Sequence, residues 1–194
     1  MDKITDFLNN EFKPLHVNDT VADAENLFLD FNYSHFPILE QDIYIGSIAK
    51  EDTEILPTSN LINEHKFNLH RFFVRSNMNW FDVFEEFSKN HTNILPVLDD
   101  KNQYVGFYEL DDVLHFLNET TFVKEDGGII VIEKETEDFT FSQICQIVES
   151  NGSKVLGVFV SNTTPTLTQI TLKISQNNFN EIIQTFRRYN YTIL

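Results

Sequence analysis

The chain has 194 residues, which is enough for one large domain or two small ones with hydrophobic cores of ordinary size. Its 30 acidic residues outnumber 14 basic residues and give a net charge of −16 at pH 7. Nucleic acids and anionic membranes bind proteins by pairing phosphates with Lys and Arg, so this balance excludes both as expected partners. The acidic surface serves solubility or, as the alternative, recruits a basic protein partner.

Cysteine usage and hydrophobic runs bear on the compartment. Cys145 is the single cysteine, so no intrachain disulfide forms, and its apolar helical surroundings predict a buried, unreactive thiol. The first residues lack the apolar run of a signal peptide, and no stretch approaches the roughly 20 apolar residues of a membrane helix. A reducing, cytoplasmic location is therefore expected.

The first 115 or so residues contain two copies of one supersecondary-structure unit. Four residues of the first copy recur in the second, offset by 59 (82 − 23) or 60 (106 − 46) residues. The pairs are Asp23 and Asp82, Pro37 and Pro96, Gly46 and Gly106, and Asp52 and Asp112. Such a unit is too small to bury a good core alone, so we expect the copies, residues 1–62 and 63–122, to pack together and share a cleft.

The elements of the first copy follow a fixed order. A helix starts after the cap residues 18–20 and carries an apolar face at helical spacing. Residues 35–39 and 43–48 then read as two antiparallel strands joined by a tight turn, and a helix follows from Lys50.

The second copy repeats this order. A strand at 72–74 leads to a helix from Asn79, strands at 94–98 and 103–108, and a helix from Asp111.

After Thr120 the pattern changes. Residues 123–128 read as a linker, and residues 129–194 give strand, helix, hairpin, helix and a last short strand. Thr140 caps the first of these helices, and Asn151 and Gly152 end it. The order βαββαβ is that of a ferredoxin-like domain, so the chain as a whole is predicted to be α+β.

The repeated unit resembles a tandem pair of CBS (cystathionine-β-synthase) domains, also called a Bateman module. The resemblance lies in the segments 35–38 and 46–52 of the first copy and 94–97 and 106–112 of the second. The tail resembles an ACT domain, a ferredoxin-like regulatory fold, and the order CBS-CBS-ACT is similar to the acetoin-utilisation regulatory family. The resemblance implies a homodimer that regulates an unidentified protein partner and binds an adenine nucleotide or nucleoside.

The resemblance also implies a site. In CBS pairs the signature Gly-x-x-Thr/Ser-x-x-Asp binds the ligand. The Asp accepts hydrogen bonds from the ribose hydroxyls, and the Thr or Ser donates a hydrogen bond to the α-phosphate. Asp52 and Asp112 match the aspartates, but Ala49 and Glu109 replace the hydroxyl residues. The base is expected along the first strand of each hairpin, at His35, Phe36 and Pro37 and at Ile94, Leu95 and Pro96.

These departures leave two functions open. Glu109 would set a carboxylate near a phosphate, and two like charges about 4 Å apart repel by about 4 kcal/mol at an effective dielectric constant of 20. The pair is either a sensor of adenine nucleotides or nucleosides, which the two aspartates favour, or a degenerate pair serving as a dimeric interaction scaffold. The tail lacks the loop glycine of amino-acid-binding ACT domains, which favours an interaction role for it.

Enzyme signatures are not evident in the sequence. His65 and His70 are five residues apart, whereas a metal-binding pair on one helix face needs a spacing of about four. Neither a phosphate loop nor a nucleophile elbow occurs. We therefore expect no catalytic residues, no metal site and no required cofactor.

Overall fold

The computed structural model describes residues 4–175 and 177–194. The chain divides into two compact units, one ending at Phe116 and the other spanning Leu117–Leu194. Among the described helices, none is long and apolar enough to cross a lipid bilayer.

The first unit contains two three-stranded sheets of the same design. The first comprises β1 (Leu15–His16), β2 (His35–Glu40) and β3 (Ile43–Ala49), and the second comprises β4 (Val74–Arg75), β5 (Ile94–Leu98) and β6 (Tyr104–Glu109). In each sheet the two-residue strand runs parallel to the first hairpin strand, and the hairpin strands are antiparallel. The repeat predicted from sequence is therefore also a repeat of sheet topology.

Four helices accompany these sheets, with 3₁₀ segments at Ile4–Phe7 and Ile62–Asn68. They are α1 (Val21–Asp30), α2 (Lys50–Thr53), α3 (Trp80–Asn90) and α4 (Leu110–Asn118). Thr20 caps α1 with its side chain, as predicted for residues 18–20, and Asn79 caps α3 in the same way. One apolar core joins both copies, since it contains Phe36 and Ile48 of the first and Ile94 and Phe107 of the second.

The second unit confirms the predicted βαββαβ order. Its elements are α5 (Thr121–Lys124), β7 (Gly128–Glu135), α6 (Phe141–Ser150), β8 (Val155–Thr163), β9 (Leu167–Ile174), α7 (Phe179–Arg188) and β10 (Thr192–Ile193). The sheet order is β10-β7-β9-β8 with every neighbouring pair antiparallel. This is the ferredoxin-like arrangement, with a core of its own formed by the sheet and helices α6 and α7.

Several local predictions were wrong. The strand predicted at 72–74 is only Val74–Arg75, because these two residues are the ones that pair with β5, while Phe72 packs in the core ahead of them. The predicted linker at 123–128 overlaps α5, and β7 already begins at Gly128. Strand β1 was not predicted, since two residues are too few to show a period. Cys145 is a free thiol and only partly buried rather than fully buried.

Candidate functional site

The segment ahead of β1 pairs with the hairpin of the second repeat, and the segment ahead of β4 pairs with the hairpin of the first repeat. Asn9, ahead of β1, exchanges two backbone hydrogen bonds with Phe107 on β6, at 2.9 and 3.0 Å. His70, ahead of β4, exchanges two with Ser47 on β3, at 2.8 and 2.9 Å. Each signature segment therefore lies next to a segment from outside its own hairpin. The two places where this happens are called here the first cleft, at Ser47 and His70, and the second cleft, at Phe107 and Asn9.

Glycine is required where these segments approach. Gly46 has φ +151°, and a Cβ there would lie 2.8 Å from Leu69 Cβ and 3.2 Å from the His70 carbonyl oxygen. Gly106 has φ +145°, and a Cβ there would lie 2.6 Å from the Asn9 carbonyl oxygen. The two signature glycines therefore have a structural role, which is to let a backbone approach the strand closely.

The first cleft comprises Asp52, His70, His35 and Ser34. Asp52 is on α2, a short helix that comes directly after β3. Its Oδ2 lies 3.3 Å from His70 Nε2. The two side chains are 31% and 46% exposed, so this contact is accessible to solvent. Ala49 is buried beside the start of α2 and offers no hydroxyl, as the sequence indicated.

His35 is the buried member of the first cleft. Its ring packs edge-on against His70 at 5.0 Å and against Phe72 at 5.1 Å between centroids. Burial, assisted by the charge of His70, lowers the pKa of His35 to about 4 against the opposing effect of Asp52. The imidazole is therefore neutral at neutral pH.

Ser34 links His35 to the second repeat. Its Oγ lies 2.9 Å from His35 Nδ1 and 3.0 Å from Thr92 Oγ1, and it accepts a hydrogen bond from the Asn93 backbone N–H. The Ser34 N–H in turn donates to Asn93 Oδ1 at 2.8 Å. Residues 34 and 93 are 59 apart, so they are the matching positions of the two repeats and meet at the axis that relates them.

The second cleft comprises Glu109, Asp112, Asn9 and Tyr33. Glu109 Oε1 accepts hydrogen bonds from Asn9 Nδ2 at 2.7 Å and from the Tyr33 hydroxyl at 2.9 Å. The Glu109 side chain thus fills the place where the CBS signature has a hydroxyl, and it is held there by two neutral donors.

Charge in the second cleft is unfavourable for an anion. Burial, followed by the nearby carboxylates of Glu109 and Asp111, raises the pKa of Asp112. Burial and the hydrogen bond to Glu109 also raise the pKa of the Tyr33 phenol. A cavity of about 300 Å³ adjoins this cleft, and its lining includes the carboxylates of Asp30, Glu109 and Asp111. A phosphate entering here would meet only negative side-chain charge from these residues.

The residues predicted to hold a base differ in accessibility. Phe36, Pro37, Ile94, Leu95 and Pro96 are buried, and Phe36, Ile94 and Leu95 belong to the apolar cores. His35 differs from these five residues because its side chain is polar and belongs to the first cleft, as Asp52 does. A ligand-binding role for all these residues stays a prediction.

Sequence reasoning did not find Asn9, Tyr33, Ser34, His70 and Thr92 as site residues. His70 was considered there only with His65, as a histidine pair whose spacing does not suit a metal site, and in the structure His65 Nε2 lies 3.1 Å from Asn60 Nδ2. No group of three or more metal-binding side chains occurs within residues 4–175 and 177–194. The repeat offset offered one usable signal, since Ser34 and Asn93 are matching positions next to the recognised strands.

Comparisons with known proteins agree with this architecture. Residues 56–119 match the family model of the CBS domain. A CBS domain pair/ACT domain protein from Thermotoga maritima superposes with a TM-score of 0.55 and 22% identity, over 61% of this chain and 98% of that one. The CBS domains of a transcriptional regulator from Streptococcus pneumoniae give 0.53 and 20%, over 59% and 98%.

A third solved structure was determined with a ligand. CBSX2 in complex with AMP superposes with a TM-score of 0.50 and 16% identity, covering 59% of this chain and 95% of that chain. No curated protein sequence matches this chain. These similarities show that the first unit has the fold of a CBS-domain pair.

Proposed function

We propose that this protein is a regulatory module that binds an adenine nucleoside or nucleotide in the first cleft. In this proposal Asp52 accepts hydrogen bonds from the ribose hydroxyls. The observation that carries the proposal is the contrast between the clefts. Asp52 is partly exposed and pairs with His70, whose side chain is itself nearly half exposed. In the second cleft, by contrast, Asn9 and Tyr33 hold the carboxylate of Glu109 in place by hydrogen bonds. The AMP complex of CBSX2 supports the ligand class. Binding would shift the population of conformations that the partner recognises.

The absence of a hydroxyl at Ala49 sets an expectation for the phosphate. With no donor at this position, the first cleft should gain little from an α-phosphate, so adenosine and AMP should bind with similar affinity. The competing proposal is a ligand-free interaction scaffold, which the Ala49 and Glu109 departures favour.

Titration calorimetry of the full chain with adenosine, AMP, ADP, ATP and S-adenosylmethionine, with and without Mg²⁺, tests the proposal. Asp52→Asn should weaken binding about 10- to 100-fold, because hydrogen bonds to a charged group contribute about 1.5–3 kcal/mol. Asp112→Asn is the matched control in the other repeat and should bind like the wild type. Absence of binding by every ligand would favour the scaffold. Loss of binding in Asp112→Asn but not in Asp52→Asn would show that the wrong cleft was chosen.

For the second unit we propose an ACT-like interaction role in a cytoplasmic homodimer, as the resemblance to the acetoin-utilisation family implies. Its βαββαβ sheet leaves β8 as an edge strand, and an edge strand presents unpaired backbone groups that a second chain can meet. Analytical ultracentrifugation of the full chain tests this: a concentration-independent monomer in the micromolar range would contradict it.

A further inference from the structure

One ring nitrogen of His35, Nε2, is buried and makes no hydrogen bond to the described residues. The residue is 7% exposed, and among residues 4–175 and 177–194 its buried Nε2 has no hydrogen-bond partner, although Nδ1 lies 2.9 Å from Ser34 Oγ. A buried polar atom without a partner destabilises a protein by about 1–3 kcal/mol, so such an atom calls for an explanation.

The hydroxyl chain next to His35 determines where the imidazole proton lies. Thr92 Oγ1 donates its single proton to the Ile94 carbonyl oxygen at 2.8 Å, so it faces Ser34 Oγ as an acceptor. Ser34 therefore donates its own single proton to Thr92. With that proton used, Ser34 Oγ meets His35 Nδ1 only as an acceptor, so the proton of the neutral ring is on Nδ1.

It follows that His35 Nε2 carries a lone pair and is an acceptor. The ring of His70 is close to both His35 and Asp52: its centroid is 5.0 Å from that of the His35 ring, and its Nε2 is 3.3 Å from Asp52 Oδ2. The His70 side chain is nearly half exposed. A ligand that took its place would meet an acceptor at each end.

We propose that His35 Nε2 selects the base of the first-cleft ligand by accepting a hydrogen bond from the exocyclic amino group of a 6-aminopurine. This rests on the proposed function, in which Asp52 accepts the ribose hydroxyls. Adenosine carries donors at both of its ends, hydroxyls on the ribose and an amino group on the base. A 6-oxopurine presents a carbonyl oxygen instead, and its lone pairs face the lone pair of Nε2.

The position of His35 also explains why the ring stays neutral. A charged imidazolium would donate from Nε2 and would favour the 6-oxo base, which reverses the selection. Burial and the neighbouring His70 hold the pKa of His35 near 4, so the acceptor form persists throughout the neutral range.

Titration calorimetry of the wild-type chain with adenosine, purine riboside and inosine tests the selection. Purine riboside lacks the 6-amino group and should bind about tenfold more weakly than adenosine, and inosine should bind more weakly still. His35→Phe fills a similar volume without an acceptor and should bring adenosine and purine riboside to the same affinity. His16→Phe alters an exposed histidine and is the matched control, which should keep the wild-type preference.

The nitrogen NMR spectrum of the histidine rings gives a second readout that needs no variant. His35 should show a protonated Nδ1 and an unprotonated Nε2, and the Nε2 signal should move when adenosine is added. A proton on Nε2, or equal affinities for the three nucleosides, would overturn the selection. Equal affinities that are all lost in Asp52→Asn would leave the proposed function standing, whereas failure of adenosine to bind would overturn both.

Discussion

At the scale of single residues, the buried imidazole of His35 makes stability depend on pH. Its pKa in the folded protein is about 4, against 6.5 for an unperturbed histidine, so the unfolded chain takes up a proton first as the pH falls. The free energy of unfolding should therefore decrease by roughly 3 kcal/mol between pH 7.5 and pH 4 through this group. Above pH 6.5 the contribution is constant.

Urea unfolding at several pH values measures this effect as the difference between the wild type and His35→Phe. The comparison is needed because other groups titrate in the same range, and Asp112, with its raised pKa, acts in the opposite direction. An identical pH dependence in the two proteins would show that His35 is protonated equally in the folded and unfolded chains.

Glu109 is the residue that distinguishes the second cleft from the first. In an Asp52→Asn background, Glu109→Thr should create AMP binding in the second cleft, because it removes about 4 kcal/mol of repulsion between like charges and supplies a hydroxyl. Titration calorimetry would measure the gain, which should disappear when Asp112→Asn is added. Glu11→Thr removes a nearby exposed carboxylate and is the control, expected to gain no binding. Unchanged AMP affinity in Glu109→Thr would mean that the carboxylate does not exclude phosphate.

At the scale of secondary-structure elements, the start of α1 depends on a reciprocal pair of hydrogen bonds. The Thr20 hydroxyl accepts from the Asp23 N–H at 3.2 Å, and Asp23 Oδ2 accepts from the Thr20 N–H at 2.8 Å. The pKa of Asp23 is lowered by the hydrogen bonds that its Oδ2 accepts from the Thr20 N–H and from the Thr20 hydroxyl. Thr20→Ala should lower the free energy of unfolding by about 1 kcal/mol in urea titrations. Thr20→Ser keeps the acceptor and should stay close to the wild type, so equal losses in both would exclude the cap as the cause.

Elements with a period or a cap could be predicted from the sequence, and those determined by distant contacts could not. Helices α1, α3, α6 and α7 carry apolar faces at helical spacing, and their existence could be read from the sequence. Strand β1 has no such signal, because its two residues are positioned by pairing with β2.

The candidate site was predictable to a similar extent. Asp52 and Asp112 follow from the repeated signature, but His70 and Asn9 lie in irregular segments. They reach the clefts only through backbone pairing with Ser47 and Phe107, which are 23 and 98 residues away in sequence. Nothing local in the sequence records such contacts. The contribution of Glu109 was predicted as repulsion, and the two donors that hold it were visible only in the structure.

At the scale of the first unit, the segment ahead of β1 packs against both repeats. Phe12 is 7% exposed, stacks on Phe107 of the second repeat at 4.5 Å, and meets Phe36 of the first repeat edge-on at 5.0 Å. The chain therefore closes its repeat pair with a residue that belongs to neither hairpin. Loss of this side chain should weaken the contact between the repeats rather than one repeat alone.

Phe12→Ala should accordingly lower the free energy of unfolding by about 3–5 kcal/mol, the usual range for a buried phenylalanine. Phe67→Ala is the matched control, because Phe67 is 93% exposed and its loss should change stability by less than about 0.5 kcal/mol. Trp80 is the single tryptophan and lies in the same unit, so its fluorescence in urea reports the unfolding of this unit. Because Phe12 contacts both repeats, the variant should still unfold in one transition at lower urea. Two separate transitions would show that the repeats are stable without each other, and equal stability of Phe12→Ala and Phe67→Ala would contradict the shared core.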